Sequence, residues 1–277
     1  MQTNRSVYNV AKMLIKLKRN FQVSYSNYTM MIEKENGDKI KGAASMKSKR
    51  FFAAMAKLKK RAKECPDILK GMKEHRIQKH HTSYFNSLFF KQPLFFENIY
   101  AVDITNAYPT VLRNEGFIND EIWQYLQKID KKDRLAAIGS LASKKETNIF
   151  EEGRIIASDQ TEAETAFIFK YAVNTVDYLI NKAVDLSEDE TFLFYWFDCL
   201  YFTEKPNNLH LIEGLFKAND LELHTKEIKN FYMNKDERNI LIQFEERNKK
   251  GKFENKVFFL PQTLRPKEFK YLKPKTI

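Results

Sequence analysis

The segment Thr191–Phe202, TFLFYWFDCLYF, contains ten apolar or aromatic residues among twelve, with one carboxylate, Asp198, near its middle. A run of this composition is typical of strands in the interior of a sheet. An ionised aspartate is costly to bury without partners, so such a side chain is paired, protonated or bound to a metal ion. The segment therefore predicts one of three arrangements for Asp198: an ion pair, a chain reversal that returns it to water, or a metal site.

The positive charge of the chain is concentrated in its first part. Residues 1–102 carry 21 Lys and Arg against 7 Asp and Glu, whereas the whole chain of 277 residues carries 47 against 36. A hydrophobic content of 43%, with only eight Gly and seven Pro, indicates a globular protein without long flexible linkers. The charge asymmetry predicts a basic region that contacts a polyanion, most commonly nucleic acid. A solvated surface and an acidic membrane face are the alternatives.

The cysteine content and the hydropathy of the sequence indicate the cellular compartment in which the protein is expected. The two cysteines, Cys65 and Cys199, provide neither a disulfide framework nor the spacing of zinc ligands. The sequence has no signal-peptide pattern and no run of 18 apolar residues. We therefore expect a cytoplasmic protein that does not contact a membrane.

Hydrophobic periodicity and turn residues predict an α+β fold. A basic amphipathic helix over the first twenty residues precedes a hairpin whose turn is Asn36-Gly37-Asp38. A basic helix is predicted over 48–64, and the segment 84–102 is strand-like. Further predicted elements include helices at about 119–129, 132–145, 160–182 and 207–219, and strands at about 154–157, 221–233 and 239–246.

A second carboxylate, Asp103, leaves another apolar segment. The strand Ile99–Val102 runs directly into Asp103, and the chain then turns towards a helix. Taken alone, Asp103 is also compatible with a turn or a helix cap. Two such acids at the ends of neighbouring core strands indicate a divalent cation, because Mg²⁺ is commonly held by one or two carboxylates together with substrate phosphates.

Three segments of the chain resemble the polymerase motifs of family B DNA polymerases. DITNAYP, Asp103–Pro109, is similar to motif A, Asp-x-x-Ser/Asn-x-Tyr-Pro, in the form with Asn found in the protein-primed viral and plasmid branch. FYWFDCLY, Phe194–Tyr201, resembles motif C, Tyr-Gly-Asp-Thr-Asp-Ser-Leu-Phe, with Asp198 on the second Asp. DRLAAIGSLASKK, Asp133–Lys145, resembles motif B between them.

The resemblance implies a polymerase-like palm with an antiparallel sheet. Asp103 and Asp198, with Ile104 in the metal set, would hold two Mg²⁺ or Mn²⁺ ions, one activating the primer hydroxyl and one clamping the triphosphate. Tyr108, with Asn106 in the nucleotide site, would lie under the incoming sugar and discriminate against a 2′-hydroxyl. Cationic side chains predicted on the second finger helix would contact the triphosphate; they are Arg134, Lys144 and Lys145.

The charge asymmetry and the resemblance together predict three regions. The positive charge predicts that residues 1–83 form a basic, mostly helical region that binds nucleic acid. The resemblance covers residues 85–205 best, and it implies that 84–205 form the palm with two-helix fingers at 119–145 and that 206–277 form the palm completion with a thumb-like part. About 100 residues before motif A are too few for the family's exonuclease domain. The expected partners are DNA, as primer-template or single strand, dNTPs, and a protein primer or another replication subunit, in a bacterial or virus-infected cell.

The predicted phosphate contacts lie on the basic helix over 48–64. Such contacts position a nucleic acid without reading its sequence. The residues are Lys57, Lys59, Lys60, Arg61 and Lys63. His75, His80 and His81 are expected to add to the same basic surface.

Other functions remain open at this stage. Trp196 stands where motif C has its first Asp, which leaves a catalytically degenerate, DNA-binding replication protein as an alternative. An RNase H-like nuclease would gather Glu162 or Glu164 with the two aspartates, although these glutamates also suit a helix start. A structural protein without a nucleic-acid partner is the last alternative.

Overall fold

The computed structural model describes residues 4–26, 29–43, 47–74, 83–85, 93–187, 191–235, 239–247 and 251–261. These ranges contain eight α-helices and two antiparallel sheets, one of five strands and one of seven. The predicted α+β class is therefore confirmed. No helix in the described ranges has the length and apolar composition needed to cross a membrane.

The chain divides into two compact units, and each unit is discontinuous in sequence. Unit 1 comprises residues 1–76 and 112–172, and unit 2 comprises residues 77–111 and 173–277. These boundaries differ from the three functional regions expected from the sequence, which remain predictions. His75, His80 and His81 lie outside the described residues.

The sheet of unit 1 has the strand order β3-β2-β1-β6-β7. Its strands are β1 (Phe21–Tyr25), β2 (Thr29–Lys34), β3 (Lys39–Ala43), β6 (Lys144–Glu151) and β7 (Arg154–Glu162). Helix α1 (Asn4–Lys16) presents Val7, Ala11 and Leu14, spaced by three and four residues, to a core with sheet residues such as Phe21. The predicted turn at Asn36-Gly37-Asp38 is confirmed between β2 and β3, where Gly37 has a φ of +83°.

Helices α2 (Lys49–Glu64) and α5 (Asp120–Gln127) of unit 1 begin at capping side chains. Ser48 accepts a hydrogen bond from the Phe51 N–H at the start of α2, and Asn119 accepts one from the Ile122 N–H at the start of α5. The unit contains α2 (Lys49–Glu64), α3 (Pro66–Glu74), α5 (Asp120–Gln127) and α6 (Lys131–Gly139). The predicted helices over 48–64 and 119–129 are thus confirmed.

The predicted helix over 132–145 is wrong in its second half. Helix α6 ends at Gly139, a 3₁₀ turn covers Ser140–Ala142, and Lys144 and Lys145 begin β6 instead of lying on a finger helix. Strand β6 is hydrogen-bonded to β1 on one side and to β7 on the other, so its backbone groups are satisfied without a helix. The predicted strand at 154–157 extends through Glu162, which delays the start of the next helix.

The seven-stranded sheet of unit 2 has the order β12-β11-β10-β5-β9-β8-β4. Its strands are β4 (Ser83–Phe85), β5 (Leu94–Ile104), β8 (Phe192–Trp196), β9 (Cys199–Phe202), β10 (Leu223–Lys235), β11 (Asn239–Arg247) and β12 (Phe253–Pro261). Helix α4 (Ala107–Asn114) spans the boundary at residue 111, and α7 (Ala166–Ser187) the boundary at residue 172. Helix α8 (Leu209–Lys217) confirms the helix predicted near 207–219.

One face of this sheet carries a cluster of buried aromatic rings. Phe194 on β8 stacks on Tyr201 of β9 with 4.2 Å between ring centroids, and Phe231 on β10 lies 5.9 Å from Phe194 and 6.3 Å from Phe244 of β11. These rings are almost completely buried. Burial of large aromatic surfaces and their pairwise contacts stabilise the centre of the sheet, where the site residues are attached.

Candidate active site

The fold of unit 2 brings Asp103 and Asp198 to neighbouring positions. Asp103 lies at the end of β5, directly opposite Cys199 on β9. Asp198 precedes Cys199, and its carbonyl oxygen accepts a hydrogen bond of 2.8 Å from the Ile104 N–H. The two predicted metal ligands therefore lie near each other in the backbone fold, Asp103 at the end of β5 and Asp198 in the turn directly before the neighbouring strand β9, although they are distant in sequence.

Asp198 reaches the surface through a chain reversal. The apolar run Thr191–Phe202 is a hairpin whose strands, β8 and β9, are joined by Phe197 and Asp198. Phe197 has a φ of +54°, a left-handed conformation that is uncommon for an aromatic residue. Its ring contacts Trp196 and remains 44% exposed. The reversal explains how a carboxylate can occur within so apolar a segment.

The electrostatic environment of Cys199 reports on both carboxylates. Burial of the thiol raises its pKa above the usual range, and the nearby negative charge of Asp103 raises this pKa further. The charge of Asp198 acts in the same direction. Asp103 is therefore close to the Cys199 thiol, as expected from their opposite positions on β5 and β9, and Asp198 is adjacent to Cys199 in sequence.

Two further predicted residues lie where β5 leads into α4. Asn106 has a φ of +50°, which asparagine tolerates better than most residues, and its carbonyl accepts the first helical hydrogen bond, from the Thr110 N–H. Tyr108 follows on α4. Burial raises the pKa of the Tyr108 hydroxyl, and the negative charge of Asp198 raises it further. Tyr108 is therefore within electrostatic reach of Asp198, as a residue of the same site must be.

Asp103 is ion-paired in this structure. The ammonium group of Lys226, on β10, lies 2.6 Å from Oδ2 of Asp103 and 3.1 Å from Oε1 of Glu246, on β11. Burial alone would lower the pKa of Lys226, but the hydrogen bond and the charge of Asp103 raise it above the usual lysine value. Lys226 therefore carries a positive charge at neutral pH.

Sequence reasoning missed Lys226 and Glu246, although a weak signal exists. In a strand, residues two positions apart point to the same face. Lys226 precedes the buried Ile228 by two positions, and Glu246 follows the buried Phe244 by two positions. Charged residues in phase with an apolar face are candidates for pairing with each other or with a functional group.

The predicted triphosphate contacts belong to unit 1. Arg134 on α6 donates hydrogen bonds to the carbonyl oxygen of Leu126 and to Gln127, and burial lowers the pKa of its guanidinium group. Lys144 and Lys145 lie at the start of β6, where they face Glu162 and Thr161 of β7. Glu162, considered above as a nuclease ligand, forms a 2.6 Å ion pair with Lys170.

The basic residues of α2 have different environments. Lys57 is ion-paired with Glu121, and Arg61 donates to the carbonyl oxygens of Phe117 and Gly116. Lys60 pairs with Glu64 at 3.5 Å and is largely exposed, as is Lys63. Partial desolvation and the like charge of Lys41 lower the pKa of Lys59. Nucleic-acid binding by these five residues remains a prediction.

The side chains near the end of β5 provide the chemical type of ligand atom that a divalent cation binds. Asp103 and Asp198 offer carboxylate oxygens, the ligands that Mg²⁺ prefers. The side chain of Ile104 is apolar and buried, so Ile104 could contribute only its backbone carbonyl oxygen. Within the part of the chain that is described, no group of three or more His, Cys, Asp or Glu residues has the arrangement of a metal site. A cation here would therefore need further ligands from substrate or water, and it would share Asp103 with Lys226.

No protein-family model matches the sequence, and a search of curated proteins finds no significant match. Conclusions about function therefore rest on the residues and geometry of the site.

Proposed function

We propose that this protein is a compact DNA polymerase that adds nucleotides to a primer in a reaction dependent on Mg²⁺ or Mn²⁺. The observation that carries the proposal is the backbone proximity of Asp103, at the end of β5, and Asp198, in the turn before β9, where the Ile104 N–H donates a hydrogen bond to the carbonyl oxygen of Asp198. Tyr108, within electrostatic reach of Asp198, adds a third residue of the motifs that resemble family B polymerases.

Each residue of the site has a role in this proposal. Asp103 and Asp198 are the carboxylates that would hold the cation, and Tyr108 would contact the sugar of the incoming nucleotide. When bound, the divalent cation lowers the pKa of an attacking hydroxyl and neutralises charge on the phosphates. The antiparallel sheet would support this chemistry by fixing Asp103 on β5 and by fixing both ends of the short turn that carries Asp198.

Nucleic-acid binding is proposed for the basic region of unit 1. Partial burial lowers the pKa of Lys59, and the like charge of the nearby Lys41 lowers it further. A phosphate group between such lysines would relieve their repulsion. Lys60 and Lys63 are exposed on the same helix. We expect binding that weakens steeply as salt concentration rises, because phosphate contacts release counterions.

A nucleotide-incorporation assay tests the proposal. Purified protein, a labelled primer-template and dNTPs are incubated with Mg²⁺ or Mn²⁺, and primer length is followed. We expect extension by the wild type, no extension by Asp103→Asn or Asp198→Asn, and normal extension by Asp185→Asn, which changes an exposed residue of α7. Extension that survives either site substitution contradicts the proposal, and shortening of the labelled strand indicates a nuclease instead.

A catalytically degenerate DNA-binding replication protein is the second candidate. Two observations favour it: Lys226 holds an oxygen of Asp103, and Trp196 stands where motif C has its first Asp. This candidate predicts that the wild type binds primer-template but never extends it with either metal ion.

A further inference from the structure

The turn that carries Asp198 also holds an aromatic residue in an unfavourable backbone conformation. Strands β8 and β9 pair through Trp196 and Cys199, so that Phe197 and Asp198 form a two-residue loop. Phe197 has a φ of +54°. Loops of this length favour Gly, Asn or Asp where φ is positive, because a bulky side chain crowds the backbone there. Formation of the turn alone therefore gives no reason for an aromatic residue at this position.

Phe197 differs in type from the other residues with positive φ. Within the described ranges, the remaining non-glycine residues with positive φ all have polar side chains; they are Lys18, Asn106, Glu152, Asp220 and Asn230. Bulky residues held in sparsely populated conformations cluster at sites that bind or transform a ligand. The backbone of Phe197 therefore makes its side chain a candidate for a role in function.

The ring of Phe197 is accessible to a ligand. Phenylalanine is usually buried, but Phe197 is 44% exposed. The Trp196 ring contacts it edge to face, with 4.6 Å between ring centroids and 72° between the ring planes. Such a contact covers at most one face of a ring, so Trp196 leaves at least one face of Phe197 uncovered. Trp196 itself packs against the aromatic cluster of the sheet, which anchors the pair.

An exposed aromatic face beside a candidate site carboxylate suits a nucleobase. Aromatic side chains stack on bases without distinguishing between them, because every base has a flat π-face. Phe197 directly precedes Asp198, which the proposed function places beside the attacking hydroxyl of the primer. Tyr108 is assigned to the sugar of the incoming nucleotide. The base at the 3′ end of the primer is therefore the ligand that remains for Phe197.

We infer that Phe197 stacks on the base at the 3′ end of the primer and so positions the terminal hydroxyl next to Asp198. Trp196 supports the stacked ring from the sheet. Motif C, which this segment resembles, has Thr at this position, so the aromatic ring is not part of the resemblance. Phe197 is a substrate-positioning residue. This inference rests on the proposed function, because that function brings a primer end to this turn.

Binding of two primer-templates tests the inference without catalysis. The primer ends at its 3′ side either in an intact nucleotide or in an abasic nucleotide that keeps its sugar and hydroxyl. Binding to the full chain is followed by fluorescence anisotropy in EDTA and without dNTPs. We expect the wild type to bind the intact end at least about five-fold more tightly than the abasic end. An abasic nucleotide at the 5′ end of the primer should leave the affinity unchanged.

Four variants separate stacking from a folding defect or a general loss of apolar surface. Phe197→Leu removes the ring and should bind both 3′ ends equally, whereas Phe197→Tyr keeps the ring and should keep the preference. Phe197→Gly favours the left-handed backbone and should also lose the preference, which tests the inference even if Phe197→Leu does not fold. Phe95→Leu changes an exposed phenylalanine at the other end of β5, about 25 Å along the strand from Asp103, and should keep the preference.

The results distinguish the inference from the proposed function. A wild type that binds both 3′ ends equally overturns the inference, as does a folded Phe197→Leu that keeps the full preference. Equal loss of the preference in Phe95→Leu also overturns it, because the effect would then not be specific to the turn. If primer extension occurs in any of these cases, the proposed function survives. A preference that depends on Phe197 in a protein that never extends the primer supports stacking and favours the catalytically degenerate protein.

Discussion

Replacing Arg61 by alanine separates the structural role of α2 from its proposed role in binding nucleic acid. Arg61 Nε donates to the carbonyl oxygen of Phe117 at 3.1 Å, and Nη2 donates to that of Gly116 at 3.0 Å. A hydrogen bond from a charged group contributes about 1.5–3 kcal/mol when partly buried and less when exposed. Since one bond is partly buried and the other exposed, we expect Arg61→Ala to lower the free energy of unfolding by about 2 kcal/mol.

Lys63→Ala is the matched control for Arg61→Ala. Lys63 lies on the same helix and is exposed, so its removal should change stability by less than about 0.5 kcal/mol. If Lys63 contacts a phosphate, its removal should reduce the slope of log affinity against log salt by about 0.9 for duplex DNA. Arg61→Ala should leave that slope unchanged, because its guanidinium group is already engaged with the protein.

Two measurements decide between these roles. Urea unfolding followed by circular dichroism gives the change in stability, and fluorescence anisotropy of labelled duplex DNA over a range of salt concentrations gives the slope. A folded Arg61→Ala variant with wild-type stability and a reduced salt slope would refute the structural reasoning. In that case Arg61 contacts phosphate, as the sequence alone suggests.

Three further predictions concern local conformation and pH. Gly153 has a φ of +76°, and a Cβ there would lie 2.6 Å from a carbonyl oxygen of α1. We therefore expect Gly153→Ala to lower the free energy of unfolding, measured with urea, by at least about 2 kcal/mol. Gly251 has a φ of +77°, but the space around it is open, so Gly251→Ala should lower the free energy of unfolding by only about 1 kcal/mol. Because Phe197 has a left-handed backbone, Phe197→Gly should be about 1 kcal/mol more stable in thermal unfolding than Phe197→Ala; the reverse order would contradict this. The hydrogen bond of Tyr25 with Glu146, followed by burial, raises the Tyr25 pKa above 10.0 in the folded protein. The stability difference between wild type and Tyr25→Phe should therefore be constant up to about pH 9 and shrink as pH rises above 10; a difference that shrinks between pH 6 and pH 9 would refute it.

The parts of the site that sequence could predict are those specified by local patterns. Asp103 stands directly after the apolar run Ile99–Val102, and Asp198 interrupts an apolar run, for which a chain reversal was one of three predicted arrangements. The ion pair between Lys226 and Asp103 could not be predicted in the same way. It depends on the pairing of β10 with β5, which are separated by more than a hundred residues in sequence.

The same limit explains the wrong assignment of Lys144 and Lys145. The residues before them form helix α6, and the segment KKETNIFE has no strong strand pattern of its own. Strand β6 forms because β1 offers hydrogen-bonding groups from more than a hundred positions earlier, in addition to its neighbour β7. Tertiary pairing overrides a weak local preference in such cases.

The central position of β5 has a consequence for how the protein is made. Strand β5 ends at Ile104, but the strands on either side of it begin only at Cys199 and Leu223. While the ribosome adds the intervening residues, the nascent chain carries β5 without the strands that flank it in the finished sheet. Such late pairing slows folding and favours association with other unfinished chains. We therefore expect Asp103 to meet its partners only after most of the polypeptide has been translated.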